Sequence, residues 1–131
     1  MIVIDTSYAL ALVMPDEARP QSVATVFNER LLAPPIWPLE VANAMRSGVR
    51  RGRLQPAEVR AVCERLDVFG IAVAASAHAQ PLRHFDLSRL HELTPYDASF
   101  IDLALQYRCA LATLDTGLAA AAQRAGLTVH S

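Results

Sequence analysis

Met1-Ile2-Val3-Ile4-Asp5-Thr6-Ser7 decides the fold. The β-branched run Ile2-Val3-Ile4 reads as a short buried strand, and a strand apolar on both faces belongs in a parallel sheet. Asp5, Thr6 and Ser7 are N-cap residues, so a helix is expected at once, through Met14. The same alternation recurs along the chain. Pro20 opens a second helix, with Val23, Val26, Phe27 and Leu31 on one face. Leu32-Ala33 reads as a strand. Pro34, Pro35 and Pro38 lead into a helix over residues 39–51, closed by Gly52. Pro56 opens another, with Val59, Val62, Cys63 and Leu66 spaced for burial. Ile71–Ala74 is a third strand, and residues 75–93 read as loop with one or two short helices. Thr94-Pro95-Tyr96-Asp97 starts a helix to about Arg108. Ala110–Thr113 is a fourth strand, Leu118–Ala125 a helix ended by Gly126, and Leu127–Val129 a last short strand. Strands alternating with helices mean an α/β fold, a parallel sheet of four to five strands covered on both faces.

Composition agrees. The 131 residues are 53% hydrophobic with a net charge of −1, enough for one domain, residues 1–131, with its own core. That combination excludes a disordered chain. The chain contains no apolar run of about 18 residues for a membrane span, and its start lacks the basic region of a signal peptide. Cys63 and Cys109 form no CxxC pair and are read on helices, so a reducing cytoplasm is the expected setting. All 12 basic residues are arginine. A mechanism that needs an active-site lysine is therefore excluded, which removes phosphoacceptor receiver domains and haloacid-dehalogenase-type phosphatases. Charge is also segregated. Residues 46–65 carry six arginines against two glutamates, and residues 86–115 carry five acids against two arginines.

Three aspartates share one topological position. Asp5 ends the first strand, Asp115 follows the fourth, and Asp97 opens a helix. In an open α/β sheet these ends face one crevice, where ligands bind. Each acid has a plainer role open to it. Asp5 and Asp115 can cap helices, and Thr94-x-x-Asp97 has the form of a capping box. Helical spacing sets Asp97 on the face of Phe100, Ile101, Ala104 and Leu105, and Asp102 on the opposite, solvated side. An inward carboxylate needs a partner or a cation. Glu40, in the first turn of its helix, is held near the body of the domain by Trp37-Pro38-Leu39. Carboxylates crowded without a lysine suit a hard cation, Mg²⁺ or Mn²⁺, and phosphodiester chemistry. Arg46, Arg50 and Arg51 are placed to hold nucleic-acid phosphates. The histidines His78, His84, His91 and His130 show no ligand spacing, and they and the cysteines are expected to stay out of catalysis.

These segments resemble PIN-domain nucleases, specifically VapC-type toxins. The matching stretches are Ile2–Ser7, Trp37–Asn43, Leu93–Ala98 and Leu111–Asp115, in the family's order. The resemblance implies a three-layer α/β/α PIN-like domain and Mg²⁺- or Mn²⁺-dependent cleavage of RNA. It implies Asp5, Glu40, Asp97 and Asp115 as catalytic metal ligands, with Ser7, Asn43 and Thr113 in support. It also implies a cognate antitoxin and a homodimer. Thr116-Gly117 departs from the family, which often carries a charge after the last aspartate. The competing reading is a PIN-like binding module without catalysis.

Overall fold

The computed structural model describes residues 1–75 and 79–131. Five parallel strands, β1 (Ile2–Ile4), β2 (Leu31–Ala33), β3 (Ala72–Val73), β4 (Ala110–Ala112) and β5 (Val129–His130), lie in the order β3-β2-β1-β4-β5. The seven described helices are α1 (Thr6–Val13), α2 (Val23–Phe27), α3 (Trp37–Arg50), α4 (Val59–Val68), α5 (Pro81–His91), α6 (Pro95–Tyr107) and α7 (Thr116–Arg124).

Alternation along the strands divides the core in two. Ile2 and Ile4 point to one face, where they pack with Tyr8, Leu12, Val41, Met45, Val62 and Leu66 of α1, α3 and α4. Val3 and Leu111 point to the other, against Phe100, Ile101, Ala104, Leu118 and Ala122 of α6 and α7. Helix layers on both faces of the sheet give the α/β/α sandwich. β1 lies at the centre, flanked by β2 and β4, in register Ile2 with Leu31 and Ile2 with Ala110. The chain winds outward from β1 in both directions, so the crevice beyond the carboxyl ends of β1 and β4 is the switch point of the sheet.

Several elements differ from the sequence reading. Helix α3 starts at Trp37 rather than Leu39, because Pro38 sits in its first turn, where a missing N–H costs nothing. Helix α2 has only five residues, and Leu31 belongs to β2, not to that helix. A 3₁₀ turn, Pro56–Glu58, precedes α4. β3 is two residues, extended by one bond from the Ala74 N–H to the Ala33 carbonyl, 2.9 Å. β5 is Val129–His130 rather than Leu127–Val129, and Cys109 lies between α6 and β4 rather than in a helix. Residues 81–91 form one regular helix, α5. Its Leu82, Phe85 and Leu90 face solvent and only Leu87 and His91 are buried, so its apolar residues trace no core stripe.

On α6 the buried face is Ala98, Phe100, Ile101, Leu103 and Ala104, and Leu105 is exposed. The face is rotated because α5 packs against α6. For the same reason Asp102 is not solvated. Its Oδ1 accepts a hydrogen bond from Arg83 of α5 at 3.1 Å, with the carboxylate mostly covered.

Candidate active site

Asp5 is the buried centre. It caps α1, its Oδ1 accepting the Tyr8 N–H at 2.8 Å. The Ser7 hydroxyl lies 2.8 and 2.9 Å from its two oxygens. Just past the end of β4, the fully buried Thr113 hydroxyl donates to Oδ2 at 2.6 Å. Ser7 Oγ in turn accepts the Leu114 N–H at 3.0 Å, and Thr113 Oγ1 accepts the Asp115 N–H at 3.0 Å. Two hydroxyls thus tie the ends of β1 and β4 together around one carboxylate. Burial is costly for that charge, and it pushes the Asp5 carboxyl above its ordinary value despite three hydrogen bonds that favour ionisation.

The other acids surround it. Asp115 caps α7, accepting the Leu118 N–H at 2.7 Å. A Cβ at Gly117 would meet Asp115 Oδ1 at 3.3 Å, so the small residue leaves that carboxylate its place. Both capping roles weighed from sequence are therefore real for Asp5 and Asp115. Asp97 does not cap α6. Thr94 does, its hydroxyl accepting the Asp97 N–H at 3.2 Å. Desolvation and the Asp115 charge raise the Asp97 carboxyl, against a hydrogen bond from the Thr94 side chain that lowers it. Glu40, on α3, is raised to about 7, first by burial, then by Asp97 and Asp5, with a long hydrogen bond from Thr6 Oγ1 at 3.4 Å acting against them. The acids named from sequence are thus close enough to act on one another: the Asp115 charge raises Asp5 and Asp97, and Asp97 and Asp5 raise Glu40. For the three whose shifts are resolved, no cation of the described residues is among the causes.

The donor set is chemically one for a hard cation. It consists of oxygens only and carries excess negative charge, and three of its members, Asp5, Glu40 and Asp97, are pushed towards protonation. Among the described residues no three His, Cys, Asp or Glu side chains are gathered to enclose an ion. Mg²⁺ needs no such cage, since it is held through one or two carboxylates and keeps several waters.

Thr6 was not singled out as a functional residue from sequence. The available signal was a hydroxyl at the first position of the helix that Asp5 caps. Asn43 is exposed, one turn along α3 from Glu40. Arg46, Arg50 and Arg51 are exposed towards the far end of α3, roughly 9–16 Å along the helix from Glu40 at ~1.5 Å per residue. His91 is buried in α5, His130 is in β5, His84 is on α5, and His78 lies outside the described residues.

The sequence profile of the PIN domain matches residues 2–124. The chain belongs to the PIN-domain family. Within it the chain is of the VapC type. It is 33% identical to ribonuclease VapC3 of Pyrobaculum aerophilum over 120 residues, covering 90% of this chain and 92% of that protein. It is 34% identical to ribonuclease VapC9 of Mycobacterium tuberculosis over 121 residues, covering 90% and 88%. The fold is shared with crystal structures of PAE2754 from Pyrobaculum aerophilum (TM-score 0.70, 20% identity, 98% and 87% covered) and of FitAcB from Neisseria gonorrhoeae (0.56, 19%, 100% and 97%). No described helix of this PIN domain is long and apolar enough to cross a membrane.

The raised carboxyls fix how stability of the metal-free PIN domain responds to pH. The folded Glu40 value, about 7, exceeds its ordinary 4.5. The folded state therefore binds the extra proton, and this contribution, complete below about 4.5, is lost as pH rises through about 7. In chelator, the melting temperature is expected to fall between about pH 5 and pH 8. Glu40→Gln should flatten that fall, and an equally steep fall in the variant would show that Glu40 does not carry it.

Proposed function

We propose that this PIN domain, acting as a single unit over residues 1–131, is the toxin of a toxin–antitoxin pair. Its activity is that of an endoribonuclease that hydrolyses RNA phosphodiester bonds with Mg²⁺ or Mn²⁺. The observation that carries the reading is the set of four coupled carboxylates, Asp5, Glu40, Asp97 and Asp115, at the switch point of the sheet. They are the residues that would hold the ion. When bound, the ion makes water more acidic and stabilises the leaving oxygen of a phosphodiester.

The chain's own residues prepare the site. Ser7 and Thr113 fix the Asp5 carboxylate, so its oxygens are oriented before substrate arrives. Thr94 and the dipole of α6 hold Asp97 at a helix start. Glu40, on a different helix and half-buried, closes the set from the α3 side. Four acids repel a phosphate, so the RNA backbone needs cations elsewhere on the surface, and Arg46, Arg50 and Arg51 supply them. The same arginines suit acidic groups of an antitoxin, and a homodimer in the cytoplasm is the working form.

Purified protein incubated with total cellular RNA, with 5′ ends mapped, tests this. Discrete cuts are expected with Mg²⁺ or Mn²⁺ and none with chelator. RNA binding without metal-dependent cuts would make the chain a binding module instead. Replacing Arg46, Arg50 and Arg51 together with alanine should weaken RNA binding and lower the salt slope by about 2, at roughly 0.7 per lost phosphate contact on single strands. An unchanged slope would remove these arginines from the RNA path.

A further inference from the structure

Glu40 is the acid of the site that its own segment holds least. Asp5 is bonded by Ser7, Thr113 and the Tyr8 N–H, Asp115 by the Leu118 N–H, and Asp97 by the Thr94 side chain. These three are aspartates, with a single methylene between backbone and carboxylate. Glu40 has one methylene more, so a fixed backbone still leaves its carboxylate several staggered positions. That backbone is well fixed. The Glu40 N–H donates to the Ile36 carbonyl at 3.1 Å, and Trp37, one turn earlier, packs against both core clusters. The side-chain rotamer therefore has to be chosen by a group outside α3.

Among the described residues one side chain bonds that carboxylate. The Thr6 hydroxyl, 34 residues away in sequence, donates to Glu40 Oε2 at 3.4 Å. The place of Thr6 explains why its hydroxyl is available. It is the first residue of α1. Deeper in a helix, a threonine hydroxyl bonds a carbonyl three or four residues back. Here those residues are Val3 and Ile2, which belong to β1 and not to a preceding turn. The cap of α1 is supplied by Asp5, so Thr6 is not used there either. Helices α1 and α3 share a core through Tyr8, Leu12, Val41 and Met45. Both ends of the bond thus sit on elements docked to each other.

We infer that Thr6 is a positioning residue, its hydroxyl holding the Glu40 carboxylate towards Asp5, Asp97 and Asp115 so that the four share one cation. The inference rests on the metal-ribonuclease reading and adds to it a residue of α1 that acts through Glu40. The bond is long, 3.4 Å, so its effect belongs at the weak end of what an outer partner of a metal ligand contributes.

Thr6→Val removes the hydroxyl and keeps the shape, and Thr6→Ser keeps the hydroxyl. Mn²⁺ titrated into RNA-free protein, with unbound Mn²⁺ read by electron paramagnetic resonance, measures the site without turnover. Thr6→Val should bind Mn²⁺ about tenfold more weakly than wild type. Its melting temperature in chelator should stay close to wild type, because the Asp5 cap of α1 is untouched. Thr6→Ser should bind as wild type does. Cleavage by Thr6→Val should fall at limiting Mn²⁺ and recover as Mn²⁺ is raised, with KM for RNA unchanged. Wild-type affinity in Thr6→Val would overturn the role of Thr6 and, with wild type binding Mn²⁺ and cutting RNA, leave the ribonuclease reading standing. Failure of wild type itself to bind Mn²⁺ would overturn both. Equal losses in Thr6→Val and Thr6→Ser, or a loss that follows a lowered melting temperature, would make Thr6 a structural residue of α1 and overturn the proposal.

Discussion

Asp97→Asn is expected to abolish RNA cleavage, by about a thousandfold or more, while the protein stays folded. An ion's charge stabilisation is worth several kcal/mol, and about 4 kcal/mol is roughly three decades in rate. The substitution keeps side-chain shape, and the Thr94 hydroxyl, which also bonds the Asp97 side chain, can still accept the backbone N–H at position 97. It removes one of several crowded charges, which desolvation and Asp115 already disfavour. In chelator the variant should therefore melt at the same temperature as wild type or slightly higher, and it should gain less from added Mg²⁺. An acid serving only the dipole of α6 would give the reverse: near-normal activity and a loss of about 0.3–1 kcal/mol. Thermal melts with and without Mg²⁺, beside a cleavage assay, separate the two.

Thr113→Val should damage both stability and activity, although Thr113 is not a ligand. The methyl fills the space, but the hydroxyl is lost at a fully buried position. Asp5 then loses its shortest hydrogen bond, and the Asp115 N–H loses its acceptor. Leaving such a group unpaired costs about 1–3 kcal/mol. Activity should fall about 10–100-fold, as when an outer partner of a metal ligand is removed. Thr113→Ser keeps the hydroxyl and should recover most of the activity. A valine variant as active as wild type would show that the Asp5 carboxylate needs no support from β4.

The parts of this molecule legible in its sequence are those where one local signal had one physical meaning. Ile2-Val3-Ile4 followed by Asp5 could only be a buried strand entering a capped helix, and it gave the parallel sheet and the centre of the site. The acids at strand ends and helix starts converged for the same topological reason. Two kinds of feature were hidden. Helix α5 turns Leu82, Phe85 and Leu90 outward, so its apolar residues gave no burial rhythm. Its contact with α6 then rotated that helix's buried face to Leu103 and covered Asp102 with Arg83, both effects of tertiary packing that no window on α6 contains. The roles of Ser7 and Thr113 came from family resemblance alone, because 106 residues separate them and only the β1–β4 pairing brings them to one carboxylate. Thr6 carried no signal beyond its place at the helix start.

Crystals soaked in Mn²⁺ and measured at the manganese absorption edge test the central claim, that four carboxylates form one cation site. Anomalous density is expected among the carboxylate oxygens of Asp5, Glu40, Asp97 and Asp115, and it should vanish or weaken sharply in Asp97→Asn. Strong manganese density elsewhere with none among these four acids, or full density in the Asp97→Asn crystal, would contradict it.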